Sequence, residues 1–452
     1  MNIQSKVTNL MNNSDQNHNA SSSRRDFLKS TTTVAVGASL ASNALIARTA
    51  HAAGSDTLKI GLVGCGGRGR GAALQALKAD PNSRLVALGD VFESQIANSL
   101  KLFESNGGEL AKRIDIAKDH GFTGFDAYQK VIDSDVDVVL LATPPHFRPQ
   151  HLEACIDAGK HVFAEKPVAV DAAGVKKVLA ACKAAKKKNL AVVSGLCWRY
   201  NRVARAAIER IHDGAIGQIV AMHSTYNASK PGKVWPMRRE EGWSDMQWQL
   251  KNWYWFTWLS GDHIVEQAVH SMDKAAWAVH EETPASAVSL GGLQARHGAE
   301  LGTIFDHHAV VYEHAGGLKH IHHCRQQTGC TKEVSTYIVG TQGVCHVEEA
   351  TVSDHNGNVT WKYDGPKGTQ MHRAEQNELF ASIRASQPNN DGDFMSKSTM
   401  LAILGRMASY TGKKITWQQA MNSQESLSPS NYDWNAKLEV SPIATPGVTP
   451  FV

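Results

Sequence analysis

Three titratable side chains stand at helical spacing in the middle of the sequence: Glu266, His270 and Asp273. The segment from Gly261 to Asp273 predicts a single helix, on which residues three and four positions apart share one face. A histidine beside carboxylates can accept and return a proton, because the ordinary pKa of imidazole lies near neutrality. The spacing therefore predicts a proton-transfer site. A purely structural histidine is the alternative that spacing alone leaves open.

A glycine-rich segment near the start of the chain could bind a nucleotide phosphate. Gly64, Gly66 and Gly69 form the pattern G-x-G-x-x-G. It follows a strand pattern at residues 57–63 and precedes a helical pattern at 71–79. Glycine serves here for the tight turn, for close approach of the backbone to a pyrophosphate and for close packing of helix on strand. The amino terminus of the helix then directs free N–H groups at the phosphates. We assign the whole loop to cofactor binding: Gly64, Gly66, Gly67, Arg68 and Gly69.

An acidic residue at the end of the next predicted strand indicates which dinucleotide binds. Residues 84–89 form this strand, and Asp90 stands twenty-one positions after Gly69. A carboxylate there accepts hydrogen bonds from the ribose hydroxyls of NAD and repels the 2′-phosphate of NADP. Val91 and Phe92 follow with no Lys or Arg beside them, so the sequence predicts NAD, with NADP less favoured. The alternative role for Asp90 is a helix N-cap.

Two further apolar strands predict the rest of the cofactor cleft. Residues 136–142 are continuously apolar, as a strand covered on both faces should be, and a second strand occupies residues 161–164. In open α/β sheets, ligands bind at the carboxyl ends of such strands. The two strands lead into T-P-P-H and E-K-P, respectively. We therefore expect five residues beside the cofactor: Thr143, Pro144, His146, Glu165 and Lys166.

Together these motifs resemble the Gfo/Idh/MocA family, which includes glucose–fructose oxidoreductases and inositol dehydrogenases. The resemblance extends from Leu58 to Gly412, and its most diagnostic part is E-K-P after the strand. It implies that Lys166 lies beside the nicotinamide and the substrate, commonly with a cis bond before Pro167. A lysine there could orient a substrate hydroxyl and stabilise the alkoxide that precedes hydride loss. A solvated surface turn is the alternative for this segment.

The resemblance also implies roles for the segment around Glu266. The family carries D-x-x-x-H there, and its histidine acts as general acid and base toward the substrate hydroxyl. His270 occupies that position, whereas Glu266 stands where the family usually has aspartate and Ala268 where it usually has glycine. The longer carboxylate could hydrogen-bond either His270 or the substrate. We expect the catalytic residues to be Lys166, His270 and Glu266.

Aromatic and charged residues predict the substrate side of the site. The segment around Arg199 resembles the family segment that lines the cofactor. Two roles stay open for Arg199, contact with cofactor or substrate and an interdomain salt bridge. Six of the eleven tryptophans lie between Trp235 and Trp258, and aromatic faces stack on the C–H surfaces of sugar rings. A loop buried against the core or a sister subunit is the alternative. We assign to substrate binding Arg199, Tyr200, Trp253, Trp255 and Asp273.

Histidines cluster between residues 307 and 323, and two cysteines follow. His320 and His322 would share a strand face and could bind zinc. However, His323 would point the other way, and no third or fourth ligand stands at standard spacing. We therefore expect cross-strand polar pairs here and no metal.

The order of the motifs predicts an α/β Rossmann dinucleotide-binding domain at residues 57–193. An α+β domain follows at residues 194–422, with a large, mostly antiparallel open sheet that we expect to pack in a homo-oligomer. Residues 423–452 are rich in Ser, Pro and Thr, which predicts an extended arm or a disordered tail.

The first 52 residues predict an export signal. Residues 23–29 have the sequence S-R-R-D-F-L-K, a mildly apolar run follows at 31–45, and A-H-A at 50–52 fits a signal-peptidase site. This resembles a twin-arginine (Tat) signal cleaved between Ala52 and Ala53, which predicts the Tat machinery as a partner and a periplasmic location. The run is too short and polar to span a bilayer, so no membrane span is expected in the mature chain. A disordered tail with a chance arginine pair is the alternative.

Charge and location narrow the function. Five basic and two acidic residues give the first 52 residues a charge of +3, so the remainder carries only +1 of the formal net charge of +4 at pH 7. A nearly neutral remainder does not predict nucleic-acid binding. The sequence predicts an exported NAD-dependent oxidoreductase that acts on a secondary alcohol of a sugar or sugar derivative. Because an NAD pool is essentially absent outside the cytosol, we expect a tightly bound cofactor that is recycled within the site. An NAD-dependent glycoside hydrolase resembling glycoside hydrolase family 109 and a non-catalytic carbohydrate-binding relic of the fold are the alternatives.

Overall fold

The computed structural model describes residues 56–105, 108–229, 238–296, 298, 301–368 and 370–452. The predicted export signal at residues 1–52, its cleavage position between Ala52 and Ala53, and Trp235 lie outside the described residues. Within the described part of the chain, no helix is both long enough and apolar enough to cross a membrane.

Six parallel strands form the first sheet, in the order β3-β2-β1-β4-β5-β6. They are β1 (Leu58–Val63), β2 (Ser83–Asp90), β3 (Gly121–Thr123), β4 (Val138–Leu141), β5 (His161–Ala164) and β6 (Val192–Ser194). The helices of this part are α1 (Gly67–Ala79), α2 (Glu93–Ser105), α3 (Gly108–Ala111), α4 (Ala127–Asp133), α5 (Arg148–Asp157) and α6 (Ala172–Lys187). Every residue of β4 is buried, which explains its continuously apolar sequence.

Nine strands form the second sheet, in the order β14-β13-β12-β11-β7-β10-β9-β8-β15. They are β7 (Ile219–Ala228), β8 (Ser286–Gly292), β9 (His307–Glu313), β10 (Lys319–Gln326), β11 (Glu333–Gly340), β12 (Val344–His346), β13 (Thr351–Ser353), β14 (Val359–Lys362) and β15 (Ile415–Thr416). Strands β7 and β10 pair in parallel, and the other neighbours are antiparallel. A Rossmann sheet followed by a mostly antiparallel sheet confirms the predicted fold class.

The late part of the chain returns to the first sheet. The remaining helices are α7 (Arg202–His212), α8 (Asp245–Lys251), α9 (Thr257–Ser260), α10 (His263–Glu266), α11 (Val269–Ala278), α12 (Met371–Arg384), α13 (Gly392–Thr411) and α14 (Trp417–Met421). Helix α12 packs on α1, and α13 packs on α6, α11 and β8. At the edge of the first sheet, the Asp391 carboxylate accepts a hydrogen bond from Ser194 N at 2.8 Å. Most residues of α13 are buried, and apart from Arg406 they are small or apolar on every side of the helix.

The histidine-rich stretch lies on β9 and β10 and makes cross-strand contacts. Ser224 Oγ on β7 lies 2.8 Å from His320 Nε2 and 2.8 Å from His322 Nδ1, and all three side chains are buried. His323 points to the other face of the strand, where its Nδ1 lies 3.4 Å from His223 Nε2. The alternation along β10 therefore separates these histidines as the strand period requires.

Candidate active site

A cavity of about 590 Å³ lies at the carboxyl ends of β1, β2, β4 and β5. The second domain contributes to its wall through Leu250, Lys251, Trp253, Glu266, Gln267 and His270. The sequence-predicted residues on the wall are Gly64, Gly66, Gly67, Arg68, Asp90, Thr143, Pro144, Glu165, Lys166, Trp253, Glu266 and His270. The glycine loop and the expected proton-transfer residues thus share one space.

The glycine loop offers bare backbone to this cavity. Gly64 has a φ of +95°, and a Cβ there would lie 2.5 Å from the main-chain carbon of Ala142. A Cβ on Gly69 would lie 1.9 Å from Gly64 O. Helix α1 can therefore lie this close to the end of β1 only because residue 69 is glycine. By contrast, a Cβ on Gly66 or Gly67 would meet no atom within 4 Å, because both open on the cavity. The open loop and the N–H groups at the start of α1 fit the pyrophosphate of a dinucleotide.

Asp90 serves both the loop and the cavity. Its Oδ2 accepts a hydrogen bond from Cys65 N at 2.7 Å, and its Oδ1 accepts one from Phe92 N at 2.9 Å. These bonds tie the glycine loop to the end of β2 and turn the chain toward α2. Burial raises the pKa of Asp90 above the ordinary carboxyl value. The side chain still lines the cavity, where its oxygens can accept hydrogen bonds from ribose hydroxyls.

Arg68 lines the cavity but is bound to other side chains. Its Nη2 lies 2.8 Å from Glu375 Oε1, its Nη1 donates to Gln75 Oε1 at 2.9 Å, and its Nε is paired with Glu165. The buried Glu165 carboxylate therefore compensates the guanidinium charge, whereas burial and the charge of Glu165 raise the pKa of Glu375 well above its ordinary value. Arg68 fixes Glu165 at the cavity wall and has no uncompensated charge to offer a pyrophosphate.

In the loop after β4, some residues line the cavity and another contacts the C-terminal segment of the chain. Thr143 and Pro144 line the cavity, as expected. His146 is not among the residues that line the wall, and its assignment to cofactor binding stays a prediction. It lies in the 3₁₀ turn Pro145–Phe147, and its Nε2 lies 2.6 Å from the hydroxyl of Tyr432. Burial lowers the pKa of His146 to about 4, so its ring is neutral near neutral pH.

Lys166 is held at the cavity wall by Glu266. Lys166 Nζ lies 2.9 Å from Glu266 Oε1 and also contacts the main-chain oxygen of Glu266. The two side chains are only 12% and 10% exposed. The Lys166–Pro167 peptide is cis, as the family resemblance implies. Glu266 Oε2 is buried without a hydrogen-bond partner among the described residues.

The expected single helix from 261 to 273 is wrong, because the chain forms α10 and α11 with a break between them. His270 N donates to Gln267 O at 3.3 Å, whereas in a continuous helix it would donate to Glu266 O. The break frees the Glu266 oxygen, and Lys166 Nζ binds it. Glu266 therefore pairs with Lys166 and does not form the expected helical pair with His270.

His270 lines the cavity at the start of α11. Its Nδ1 is buried without a hydrogen-bond partner in the described part of the chain. Burial, together with the positive charges of Lys166 and Lys274, lowers the pKa of His270 well below the ordinary imidazole value. The ring is therefore neutral near neutral pH and keeps the capacity to accept a proton.

Three residues assigned to substrate binding are not among those that line the cavity, and that assignment stays a prediction. Arg199 forms a bidentate pair with Asp273, with Nη2–Oδ1 at 2.9 Å and Nε–Oδ2 at 3.0 Å. Asp273 is fully buried and also accepts a hydrogen bond from Ser398 Oγ at 2.7 Å. Tyr200 donates its hydroxyl hydrogen to Asp391. The ion-pair alternative for Arg199 is the observed one, because an unpaired charge would be costly at this depth.

The tryptophan group is also divided. Trp253 lines the cavity, whereas Trp255 is 2% exposed and has the Arg296 guanidinium 4.6 Å from its ring centroid. Trp255 is therefore buried in the core, and its assignment to substrate binding stays a prediction. Trp243 and Trp258 belong to an apolar cluster near the cavity. A single tryptophan, Trp253, is thus available to a ligand among those assigned.

Sequence reasoning did not identify several cationic or polar residues of the wall, among them Arg148, Lys251 and Gln267. Arg148 is fully buried, and it donates from Nε to Pro167 O and from Nη1 to Leu141 O, both at 3.1 Å. It thereby ties together the carboxyl ends of β4 and β5, and burial lowers its pKa to about 10. A charged residue in the loop after a buried strand was the available signal for Arg148.

A buried group outside the cavity has ligand-type side chains. Asp262, His263 and His308 have ligand atoms within 4.8 Å of one another. The Asp262 carboxylate lies 3.1 Å from His308 Nε2 and accepts hydrogen bonds from Phe305 N at 2.9 Å and Tyr410 Oη at 2.6 Å. The Asp262 carboxylate already has hydrogen-bond partners within the protein. The expected absence of a metal stays a prediction.

Two family models match the chain. One, described as an oxidoreductase family with an NAD-binding Rossmann fold, matches residues 58–194, and the other, the Gfo/Idh/MocA C-terminal domain, matches residues 204–346. Together with the fold and the cavity, these matches define a protein with an NAD-binding Rossmann domain of the oxidoreductase type. The chain belongs to the Gfo/Idh/MocA family.

Curated relatives include sugar and polyol dehydrogenases. The chain is 25% identical over 296 residues to inositol 2-dehydrogenase of Burkholderia cenocepacia, which covers 65% of this chain and 74% of that protein. It is 30% identical over 188 residues to the same enzyme of Serratia proteamaculans, with 40% and 48% covered. It is 27% identical over 271 residues to levoglucosan dehydrogenase of Pseudarthrobacter phenanthrenivorans, with 58% and 61% covered. The chain thus spans about half to three quarters of the length of these relatives.

Solved structures share the fold. A levoglucosan dehydrogenase complex with NADH and levoglucosan matches with a TM-score of 0.61 at 17% identity, covering 80% of this chain and 99% of that one. Scyllo-inositol dehydrogenase from Lactobacillus casei with NAD(H) and scyllo-inositol gives 0.61 at 19%, with 80% and 99% covered. Aldose–aldose oxidoreductase from Caulobacter crescentus gives 0.60 at 19%, with 80% and 99% covered.

Proposed function

We propose that this chain is an NAD-dependent oxidoreductase that acts on a secondary alcohol of a sugar or sugar derivative. The observation that carries the proposal is that Lys166, Glu266 and His270 line the same cavity as the glycine loop. When bound, NAD supplies the acceptor for the hydride that leaves the carbinol carbon.

The residues of the chain handle the hydroxyl group of the alcohol. An alcohol that loses a hydride from carbon must also lose its hydroxyl proton to become a ketone. Neutral His270, which lines the cavity, can accept that proton. The Lys166 ammonium can stabilise the developing negative oxygen, because Glu266 holds it in one position beforehand. The Glu266 carboxylate, which lines the cavity, can accept a hydrogen bond from a neighbouring hydroxyl of the same substrate.

A cyclic polyol or a pyranose is the substrate class that we propose. Trp253 gives the wall one aromatic face on which a sugar ring can stack. Relatives named inositol 2-dehydrogenase and levoglucosan dehydrogenase carry ring substrates in their names, which supports the same class here.

The test is turnover of a panel of inositols, aldoses and glycosides by the purified full chain with NAD, with the ketone product identified by mass. Lys166→Met and His270→Asn should each lower the rate roughly 100-fold or more. His355→Asn, at an exposed position far along the chain, is the matched control and should leave the rate unchanged. Full activity of His270→Asn would contradict the assigned proton acceptor.

We propose further that the chain is exported to the periplasm by the Tat machinery and retains its cofactor. The S-R-R-D-F-L-K sequence supports export, and the lack of an external NAD pool then requires a cofactor that is re-oxidised by a second substrate or product in the same site. The aldose–aldose oxidoreductase of Caulobacter crescentus is named for two aldoses, which supports such coupling. Residues 1–52 fused to a folded reporter should direct its export, and changing Arg24 and Arg25 to Lys should abolish that export.

An NAD-dependent glycoside hydrolase is the second candidate. Trp253 supports this candidate equally, because its aromatic face can stack on a sugar ring of a glycoside. In this reaction the substrate alcohol is oxidised, the glycosidic bond is eliminated, water is added and the ketone is reduced again, so no net NADH forms. Release of free sugar from a glycoside without net NADH would decide for this candidate. Sugar binding without any turnover would instead support the third alternative, a non-catalytic carbohydrate-binding relic of the fold.

We propose that a second copy of the chain covers the open face of the second sheet. Val288, Leu290 and Ile321 are 43%, 78% and 37% exposed. Val288 and Ile321 lie in one cross-strand row, since both pair with Val311. An exposed apolar row of this kind is typical of an interface. Light scattering should find an oligomer, and Leu290→Lys should shift it toward the monomer. A monomeric wild-type chain would contradict the homo-oligomer.

A further inference from the structure

The last thirty residues of the chain form an arm that runs over both domains with almost no regular secondary structure. The arm begins after α14, where Glu425 pairs with Arg406. The main-chain N of Leu427 then donates to Asp171 Oδ2 at 3.4 Å. At the end of the arm, the main-chain oxygen of Val452 accepts a hydrogen bond from Ser423 Oγ at 2.6 Å. This last bond joins the end of the arm to its own first residue, and Gly447 N donates to Thr411 O at 2.9 Å, so the arm is attached to the rest of the chain at its start and near its end.

Two aromatic residues in the middle of the arm lie on the Rossmann domain. The ring centroid of Trp434 lies 5.6 Å from that of Phe92 and 4.9 Å from that of Phe125. Tyr432 lies 5.9 Å from Phe125 by the same measure, and its hydroxyl contacts His146 Nε2 at 2.6 Å. These distances are those of favourable aromatic pairs.

The arm next crosses to the second domain. Leu438 N donates to Asp245 Oδ2 at 3.2 Å, and Leu438 O accepts a hydrogen bond from Gln249 Nε2 at 2.9 Å. Asp245 and Gln249 belong to α8, whose last residue, Lys251, lines the cavity. One segment of seven residues, 432–438, thus joins the Rossmann domain to α8.

The surfaces under the arm are the outer sides of cavity walls. Phe92 and Phe125 line the cavity, and Phe92 follows Asp90 by two residues. Trp253 and Leu250 line it from the second domain. All of these apolar side chains belong to one cluster, and Trp434, Leu438 and Val440 of the arm complete that cluster. The arm therefore backs the wall on the side where Asp90 would bind the adenosine ribose.

We infer that the arm is a strap that retains the dinucleotide: Trp434 and Tyr432 brace Phe92 and Phe125 around the adenosine half and keep the Rossmann domain and α8 from separating. This inference rests on the proposed function, because it presupposes that NAD occupies the cavity. A dinucleotide held between two domains leaves when they separate or when the wall moves, and the strap opposes both movements. The strap thereby gives a structural basis for cofactor retention.

The test is the rate at which NAD leaves the full-length protein, measured by loading with labelled NAD and adding an excess of unlabelled NAD. Trp434→Ala should raise the dissociation rate roughly tenfold or more, because it removes two aromatic pairs and part of the apolar cluster. Trp434→Phe should restore most of the retention. Trp361→Ala is the matched control, since Trp361 is a half-buried tryptophan on β14 and should leave the rate unchanged.

A dissociation rate of folded Trp434→Ala equal to that of the wild type would overturn the strap and leave the proposed function intact. A wild-type chain that binds no NAD at all would overturn both. If Trp434→Ala does not fold, Tyr432→Phe is expected to raise the rate by a smaller factor. Limited proteolysis of the wild type gives an independent measurement: NAD should slow cleavage within the arm, since the coupling between arm and cofactor is reciprocal. Equal cleavage with and without NAD would contradict the strap.

Discussion

Replacing Lys166 by methionine removes one partner of a buried ion pair while keeping the length of the side chain. The lost contacts are the 2.9 Å pair with Glu266 Oε1 and the contact with Glu266 O. Removing one partner of a buried pair costs about 3–5 kcal/mol, because the other charge stays buried without compensation. We therefore expect Lys166→Met to lower the free energy of unfolding by about that amount.

A double-mutant cycle isolates the pair. Glu266→Gln removes the charge that Lys166→Met leaves unpaired, so the double variant should be more stable than the sum of the single changes predicts, by about 1–3 kcal/mol. The assay is urea unfolding of dialysed protein. Lys177→Met is the matched control, since its pair with Glu153 has the same 2.9 Å separation but is half exposed, and its loss should cost about 0–1 kcal/mol. Strict additivity of the two changes would refute the coupling between Lys166 and Glu266.

Three other changes test separate parts of the site. Gly66→Val should leave the midpoint of urea unfolding unchanged, since Gly66 opens on the cavity with a φ of −68°. The same change should weaken NAD binding roughly tenfold or more. Gly69→Ala should instead lower the unfolding midpoint, because a Cβ there would lie 1.9 Å from Gly64 O. His270→Asn should slow nicotinamide reduction in a single turnover roughly 100-fold, in a stopped-flow absorbance experiment. Burial lowers the pKa of His151 from 6.5 to about 3, so between these two pH values only the unfolded chain binds a proton at this ring. The free energy of unfolding should therefore fall as the pH drops below 6.5. It should fall less steeply in His151→Asn.

The parts of the site that follow from local sequence could be predicted. The glycine loop and Lys166 lie where their motifs indicate, because a turn after a buried strand is determined mainly by residues close in sequence. The fold class followed in the same way from the order of strands and helices.

Contacts between distant residues could not be predicted from local patterns. Arg199 and Asp273 are 74 positions apart, and nothing in either local pattern indicates that they pair. The break between α10 and α11 is coupled to Lys166, which lies 100 positions before Glu266 and binds the oxygen that a continuous helix would use. Helical spacing alone could not predict that this tertiary contact replaces a helical hydrogen bond. His146 is a further case, since its partner Tyr432 lies on the arm.

The nucleotide content of the exported, extensively dialysed protein tests the central claim most directly. The nucleotide is released by denaturation and identified by mass. We expect about one NAD(H) per chain, held between the glycine loop and the Lys166–Glu266 pair. An empty site that binds added NAD would contradict retention and the strap. An empty site that also fails to bind added NAD would contradict the oxidoreductase itself.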